Sequence, residues 1–215
     1  MTIRISRACL TIILAMLGSL PAYAKTVVFE VGDQMGRDVV SFNSDAPIEL
    51  IVGRTNKITG KVSIDDSLGL RGDALSAEFK VDLASIDTGI EMRNQHMRDN
   101  FLETSQFPTA IFRLTGLNGT ATRLKSGQKV RLMASGEFSV HGKTVTKTVP
   151  VDVTYFPPCP EEKRKSQACD ALTLRATFPV KLDEHAIKRP EMVFQKLADT
   201  VFVTVSATAK KKEVH

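Results

Sequence analysis

Cysteine is scarce in this chain, with three in 215 residues, and no stretch of it stays apolar for long. The main apolar run, Leu10 to Leu17, is interrupted by Thr11 and ends near Pro21. A membrane-spanning helix needs about 20 apolar residues, so this run is too short to be one. Its flanks fit a secretory signal instead. Arg4 and Arg7 precede it, and Ala22-Tyr23-Ala24 follows with the small side chains a signal peptidase accepts. The expected organisation is a cleaved leader at 1–24 and one domain at 25–215, periplasmic or secreted, with no integral membrane segment in the mature chain.

Charge of one sign is also lacking. Twenty-nine Lys and Arg against 24 Asp and Glu give +5, and losing Arg4 and Arg7 with the leader lowers this to about +3 by the same counting. Nucleic-acid binding calls for clustered basic residues, usually with interleaved aromatics, so that class is excluded. The one dense cluster, Lys210-Lys211-Lys212, reads as a solvated tail.

Catalytic signatures are missing as well. There is no H-E-x-x-H, no G-x-S-x-G and no zinc-like cysteine spacing. His96 falls on a helix pattern, His141 in a turn, His185 in a loop and His215 at the end. Asp183-Glu184-His185 has metal-ligating residue types, but reads as a solvated loop. No catalytic residue, metal or cofactor is assigned. Cys9 leaves with the leader, so Cys159 and Cys169 remain as an even pair in an oxidising compartment. They flank a polar loop and read as a disulfide across it, worth at most about 3 kcal/mol for so short a loop.

What is present is alternation. Leu75, Ala77, Phe79, Val81 and Leu83 alternate with polar residues, as do Val130 to Val140 and Val145 to Tyr155. The same period recurs over 172–180 and 201–207, and more weakly over 26–31, 39–43, 58–65 and 110–117. About eight or nine strands with one wet and one buried face are expected, as in antiparallel sheets. His141-Gly142 reads as a two-residue hairpin turn. One segment breaks the rhythm. Thr88 and Glu91 match a capping box, and Ile90, Met97 and Phe101 share a stripe, so a helix is expected over 90–102. Many strands, one inserted helix and one domain predict an all-β antiparallel barrel, because closure removes exposed edges. Ala77, Ala134, Gly136, Ala176 and Ala207 are small residues on the inward rows. Either they leave a void for a hydrophobic guest, or Phe79, Phe138 and Phe178 fill it. The pattern alone leaves both open.

The stretch Ser85-Ile-Asp-Thr-Gly-Ile-Glu-Met-Arg-Asn-Gln-His-Met-Arg98, with Phe101, Phe107-Pro108 and the later Val140-His141-Gly142, resembles the YceI family of exported lipid-binding proteins. The likeness runs from about Val39 to the C-terminus. Its departures are a segment one residue shorter after the helix, Asn43-Ser44-Asp45-Ala46-Pro47 in the N-terminal strand, the Cys159–Cys169 loop, and Arg189-Pro190-Glu191-Met192. The resemblance implies a lipocalin-like barrel with an apolar tunnel. It also implies a long isoprenoid or fatty-chain ligand, a non-enzymatic role and a homodimer. The expected tunnel lining is Phe79, Val81, Phe112, Ala134, Phe138, Ala176 and Phe178, with Met97 and Phe101 where the helix closes one end. Arg93, His96 and Arg98 are the expected head-group contacts. Two alternatives remain: an envelope module that partners a quinone-handling membrane redox protein, and a secreted enzyme.

Overall fold

The computed structural model describes residues 25–163, 168–193 and 195–212. The expected leader at 1–24 and His215 lie outside them. Ten strands follow in chain order: β1 (Thr26–Val31), β2 (Val39–Asp45), β3 (Leu50–Thr55), β4 (Ile58–Asp65), β5 (Ser76–Asp82), β6 (Thr109–Asn118), β7 (Lys129–Val140), β8 (Lys143–Phe156), β9 (Ala171–Lys181) and β10 (Thr200–Lys211). All neighbours are antiparallel, and β1, β4, β5, β6, β7, β8, β9 and β10 close into an eight-stranded barrel. The expected all-β barrel is therefore what the chain forms.

The strand patterns set the faces. Along β7 every second residue from Val130 to Val140 is buried, while Arg131, Met133 and Glu137 face water. The hairpin to β8 turns on His141 and Gly142, both at positive φ (51° and 71°). That matches the right-handed twist of the flanking strands. At the closing seam β10 shares one edge. Residues Phe202–Ser206 pair with β2, and Lys210 and Lys211 pair with β1. The expected basic tail is thus corrected. Lys210 and Lys211 belong to the closing strand, and Lys212 Nζ lies 3.1 Å from Glu30.

β3 has no counterpart in the alternation. Leu50 and Val52 face outward as exposed apolar residues beside buried Ile51. A three-residue apolar run therefore hides the period.

The helix is shorter than expected and differently built. The α-helix α1 spans Glu91–His96, and a π-helical turn continues it over Met97–Phe101, where the Leu102 N–H donates to the Met97 carbonyl at 2.9 Å. The capping box does not form. The Thr88 hydroxyl and N–H both donate to Asn94 Oδ1 (2.7 and 2.8 Å), and Glu91 pairs with Arg98 instead. Asn94 wins because its amide is buried and also donates to Asp87 Oδ1 at 2.8 Å. Its two ends therefore close the turn before the helix from the inside.

Cys159 and Cys169 form the disulfide, with their Cα atoms 5.5 Å apart. Replacing both with serine is expected to lower stability by about 2 kcal/mol in a denaturant titration, with the barrel's circular dichroism unchanged.

Candidate functional site

The barrel is not filled. A cavity of about 780 Å³ occupies its interior, within the range of small-ligand sites. Its walls are almost wholly apolar. Phe79, Val81, Met97, Phe101, Phe112, Ala134, Phe138, Ala176 and Phe178 all line it.

Three phenylalanines stay against the wall because glycines lie beneath them. Phe79 sits opposite Gly60, and a Cβ on Gly60 would meet the Phe79 ring at 2.5 Å. Phe112, whose partner across β6 and β7 is Phe138, reaches diagonally over Gly136, again at 2.5 Å, and Phe42 lies over its partner Gly53. A ring that takes the space of a glycine's missing side chain stays close to the sheet. Phe138 and Phe178 meet each other edge to face at 5.7 Å, so they occupy one side only. Of the two outcomes the sequence left open, the void is the one that forms.

One end of the cavity is floored. The loop after β4 and the loop after β6 bind each other: Leu70 N–H donates to Thr122 O at 2.9 Å and Leu124 N–H to Leu68 O at 3.0 Å. This brings Leu70 and Leu124 beneath the lumen as buried side chains. A side cleft of about 270 Å³ at the β6 bulge shares Leu70, Leu75, Leu114 and Leu117 with the cavity.

The charged lining gathers at the other end. Glu49, Thr88, Arg93, His96 and Lys196 line the cavity there, alongside Ile90 and Met92. Arg93 is held firmly: its guanidinium donates to Thr88 Oγ1 (2.9 Å), Thr88 O (2.8 Å) and Glu49 Oε1 (2.7 Å). Arg98 does not line the cavity; it bonds Glu91 at 2.7 Å. His96 is exposed at the rim. The sequence reading missed Lys196 and Glu49, which lie far from the helix in the chain. Ile90 also departs from the expected buried stripe. It is extended, precedes α1 and stands exposed at the mouth.

The turn that positions α1 depends on Asn94. The Gly89 N–H and then the Asn94 amide hold the Asp87 carboxyl below the usual carboxylate range. Asn94→Ala strands the Thr88 N–H and removes a bond to a charged acceptor. About 2 kcal/mol of stability should be lost, with faster amide exchange at Thr88 as the local readout.

His185 corrects another expectation. It is not in a solvated loop but fully buried, in a 3-10 turn (Asp183–His185) packed under the His141 hairpin. Its Nδ1–H donates to Lys143 O at 3.3 Å, the His141 Nδ1–H donates to His185 O at 3.0 Å, and its ring meets Phe138 edge-on at 5.3 Å. The two histidines thus pin the 3-10 turn against a wall of the cavity. Burial holds the His185 pKa below its ordinary value. Lys147 and His141 also oppose a proton, while the Lys143 carbonyl and Glu184 favour one. In the unfolded chain His185 titrates near pH 6.5, as a free histidine does (about 6.5). Below that pH the unfolded state takes up a proton that the folded state resists. Stability supplied by neutral His185 is therefore present above pH 6.5 and lost as pH falls below it. Urea unfolding between pH 7 and 5 should show this decline, and His185→Gln should flatten it. An equally steep decline in the variant would assign it to other groups.

Among the described residues no helix is long and apolar enough to cross a membrane. None of the curated proteins compared matches the chain. Solved structures share its fold. BcnA of Burkholderia cenocepacia is 21% identical, with a TM-score of 0.64 over 83% of this chain and 100% of its own. A polyisoprenoid-binding domain from Saccharophagus degradans, implicated in plant cell wall breakdown, is 16% identical, with a TM-score of 0.63 over 86% and 98%. A YceI protein of Campylobacter jejuni is 11% identical, with a TM-score of 0.55 over 75% and 85%. The family model for the YceI-like domain matches residues 35–209, and the chain therefore belongs to the YceI-like family.

Proposed function

We propose that the protein is a non-enzymatic carrier, periplasmic or secreted, that holds a long-chain isoprenoid or another amphiphilic lipid in its barrel. The observation that carries this reading is the floored, apolar cavity of about 780 Å³ with its charged lining gathered at one mouth. Affinity comes from burial of hydrocarbon, about 25 cal/mol per Å² before costs. No reacting group is needed. The chain lies against Phe79, Val81, Phe112, Ala134, Phe138, Ala176 and Phe178, with Met97 and Phe101 above it. The head group stays at the mouth beside His96 and Lys196, while Arg93 and Arg98 keep the helix in place. The polyisoprenoid-binding relative from Saccharophagus degradans supports the ligand class. The test is organic extraction and mass spectrometry of the purified protein, followed by uptake of a polyprenyl probe. A co-purified lipid or a saturable probe signal is the expected result. Neither lipid nor uptake would overturn the reading.

A further inference from the structure

The apolar lining of the cavity continues out through its mouth. Ile90 and Met92 line the cavity and are also 53% and 69% exposed. Around them stand Ile48, Leu50 and Met192, exposed by 63%, 61% and 86%. Ile48 and Leu50 flank the start of β3, and Met192 sits in a 3-10 turn (Glu191–Val193). These segments meet at one opening. The Ile48 N–H donates to Gln195 O at 3.0 Å, Arg93 reaches Glu49 at 2.7 Å, and Val193 lines the cavity beside Met192. Single exposed apolar residues are ordinary. A group of them rimming the entrance to a cavity marks a contact surface.

Basic residues outnumber acids on one side of this rim. Over residues 187–197 Lys188, Arg189 and Lys196 accompany one acid, Glu191. Two acids on the facing segments are paired, Glu49 with Arg93 and Glu91 with Arg98. Lys188 and Lys196 have no acidic partner among the described residues, and both are exposed. Apolar side chains that enter the head-group layer, flanked on one side by Lys188 and Lys196, complement a bilayer with anionic lipids. We propose that the mouth docks on such a bilayer, so that the cavity opens onto hydrocarbon and a chain passes between them without crossing water. This purpose rests on the carrier reading, but docking itself is measurable without cargo.

The experiment is co-sedimentation of the purified protein with vesicles of phosphatidylethanolamine containing one third phosphatidylglycerol. A short-chain prenyl probe offered in solution is measured in parallel. Binding to the anionic vesicles is expected, weakening as salt is raised and falling at least tenfold when the phosphatidylglycerol is omitted. The double substitution Ile48→Asp, Met192→Asp should weaken vesicle binding at least tenfold. Neither residue lines the cavity, so probe uptake and melting temperature should hold. Probe uptake without vesicle binding overturns docking and leaves the carrier reading standing. Vesicle binding that is equal in the variant also overturns it. A dimer that dissociates in the variant, with no vesicle binding by either form, assigns the rim to a second copy of the chain and overturns it too. Vesicle binding without probe uptake retains docking and removes the carrier.

Discussion

Ala176→Phe is expected to weaken polyprenyl binding by roughly a thousandfold. The Ala176 side chain faces the lumen between Val151 and Val205 on the neighbouring strands, and all three line the cavity. A phenyl ring there occupies the room of about one five-carbon unit of ligand. At about 0.8 kcal/mol per buried carbon, excluding that unit costs about 4 kcal/mol of binding. The ring enters empty space, so it displaces no packed neighbour and the unliganded barrel should melt no lower than the parent. Probe titration and a thermal melt on the same sample check both halves. A folded variant with parental affinity would place the ligand outside the barrel.

Gly136→Val is expected to lower stability by about 3 kcal/mol and to narrow the cavity at the same time. A Cβ at Gly136 meets the Arg113 carbonyl oxygen on β6 and the Phe112 ring, the latter at 2.5 Å. The carbonyl belongs to a paired strand and yields little. The ring can turn, and the lumen it lines offers it room. Urea unfolding should report the loss of stability, and probe affinity should fall with it. Adding Phe112→Ala removes the displaced ring, so the double variant should recover part of the binding that Gly136→Val loses. Such recovery is the non-additivity expected of residues in contact. Losses that simply add would mean that Gly136 and Phe112 act independently.

Much of the architecture was readable from the order of residues. β7, β8, β9 and β10 carry clear alternation, and side chains on a strand point to opposite faces in turn. The inward rows were therefore legible before any contact was known. β3 was not, because Leu50 and Val52 are apolar yet face water. The helix was legible in place but not in mechanism. Thr88 and Glu91 have the spacing of a capping box, but the competing acceptor, buried Asn94, shows its advantage only once Asp87 and Thr88 close around it. His185 looked solvated because Asp183 and Glu184 precede it, and only the His141 hairpin folding across it takes it out of water.

The sequence by itself determined the alternation, the inward rows and so the barrel, because strand periodicity is local. It also placed Cys159 and Cys169 on either side of one polar loop, where they pair. Whether the barrel was full or empty was a tertiary matter. That depended on Phe79 meeting Gly60, Phe112 meeting Gly136 and Phe42 meeting Gly53 across strand boundaries. It depended as well on two distant loops meeting beneath the lumen as its floor. The mouth followed the same logic, since Glu49, Arg93 and Lys196 come together only when the hairpin, helix and 3-10 turn converge. Strand register and loop closure join residues far apart in the chain, and no local period encodes which of them will face each other.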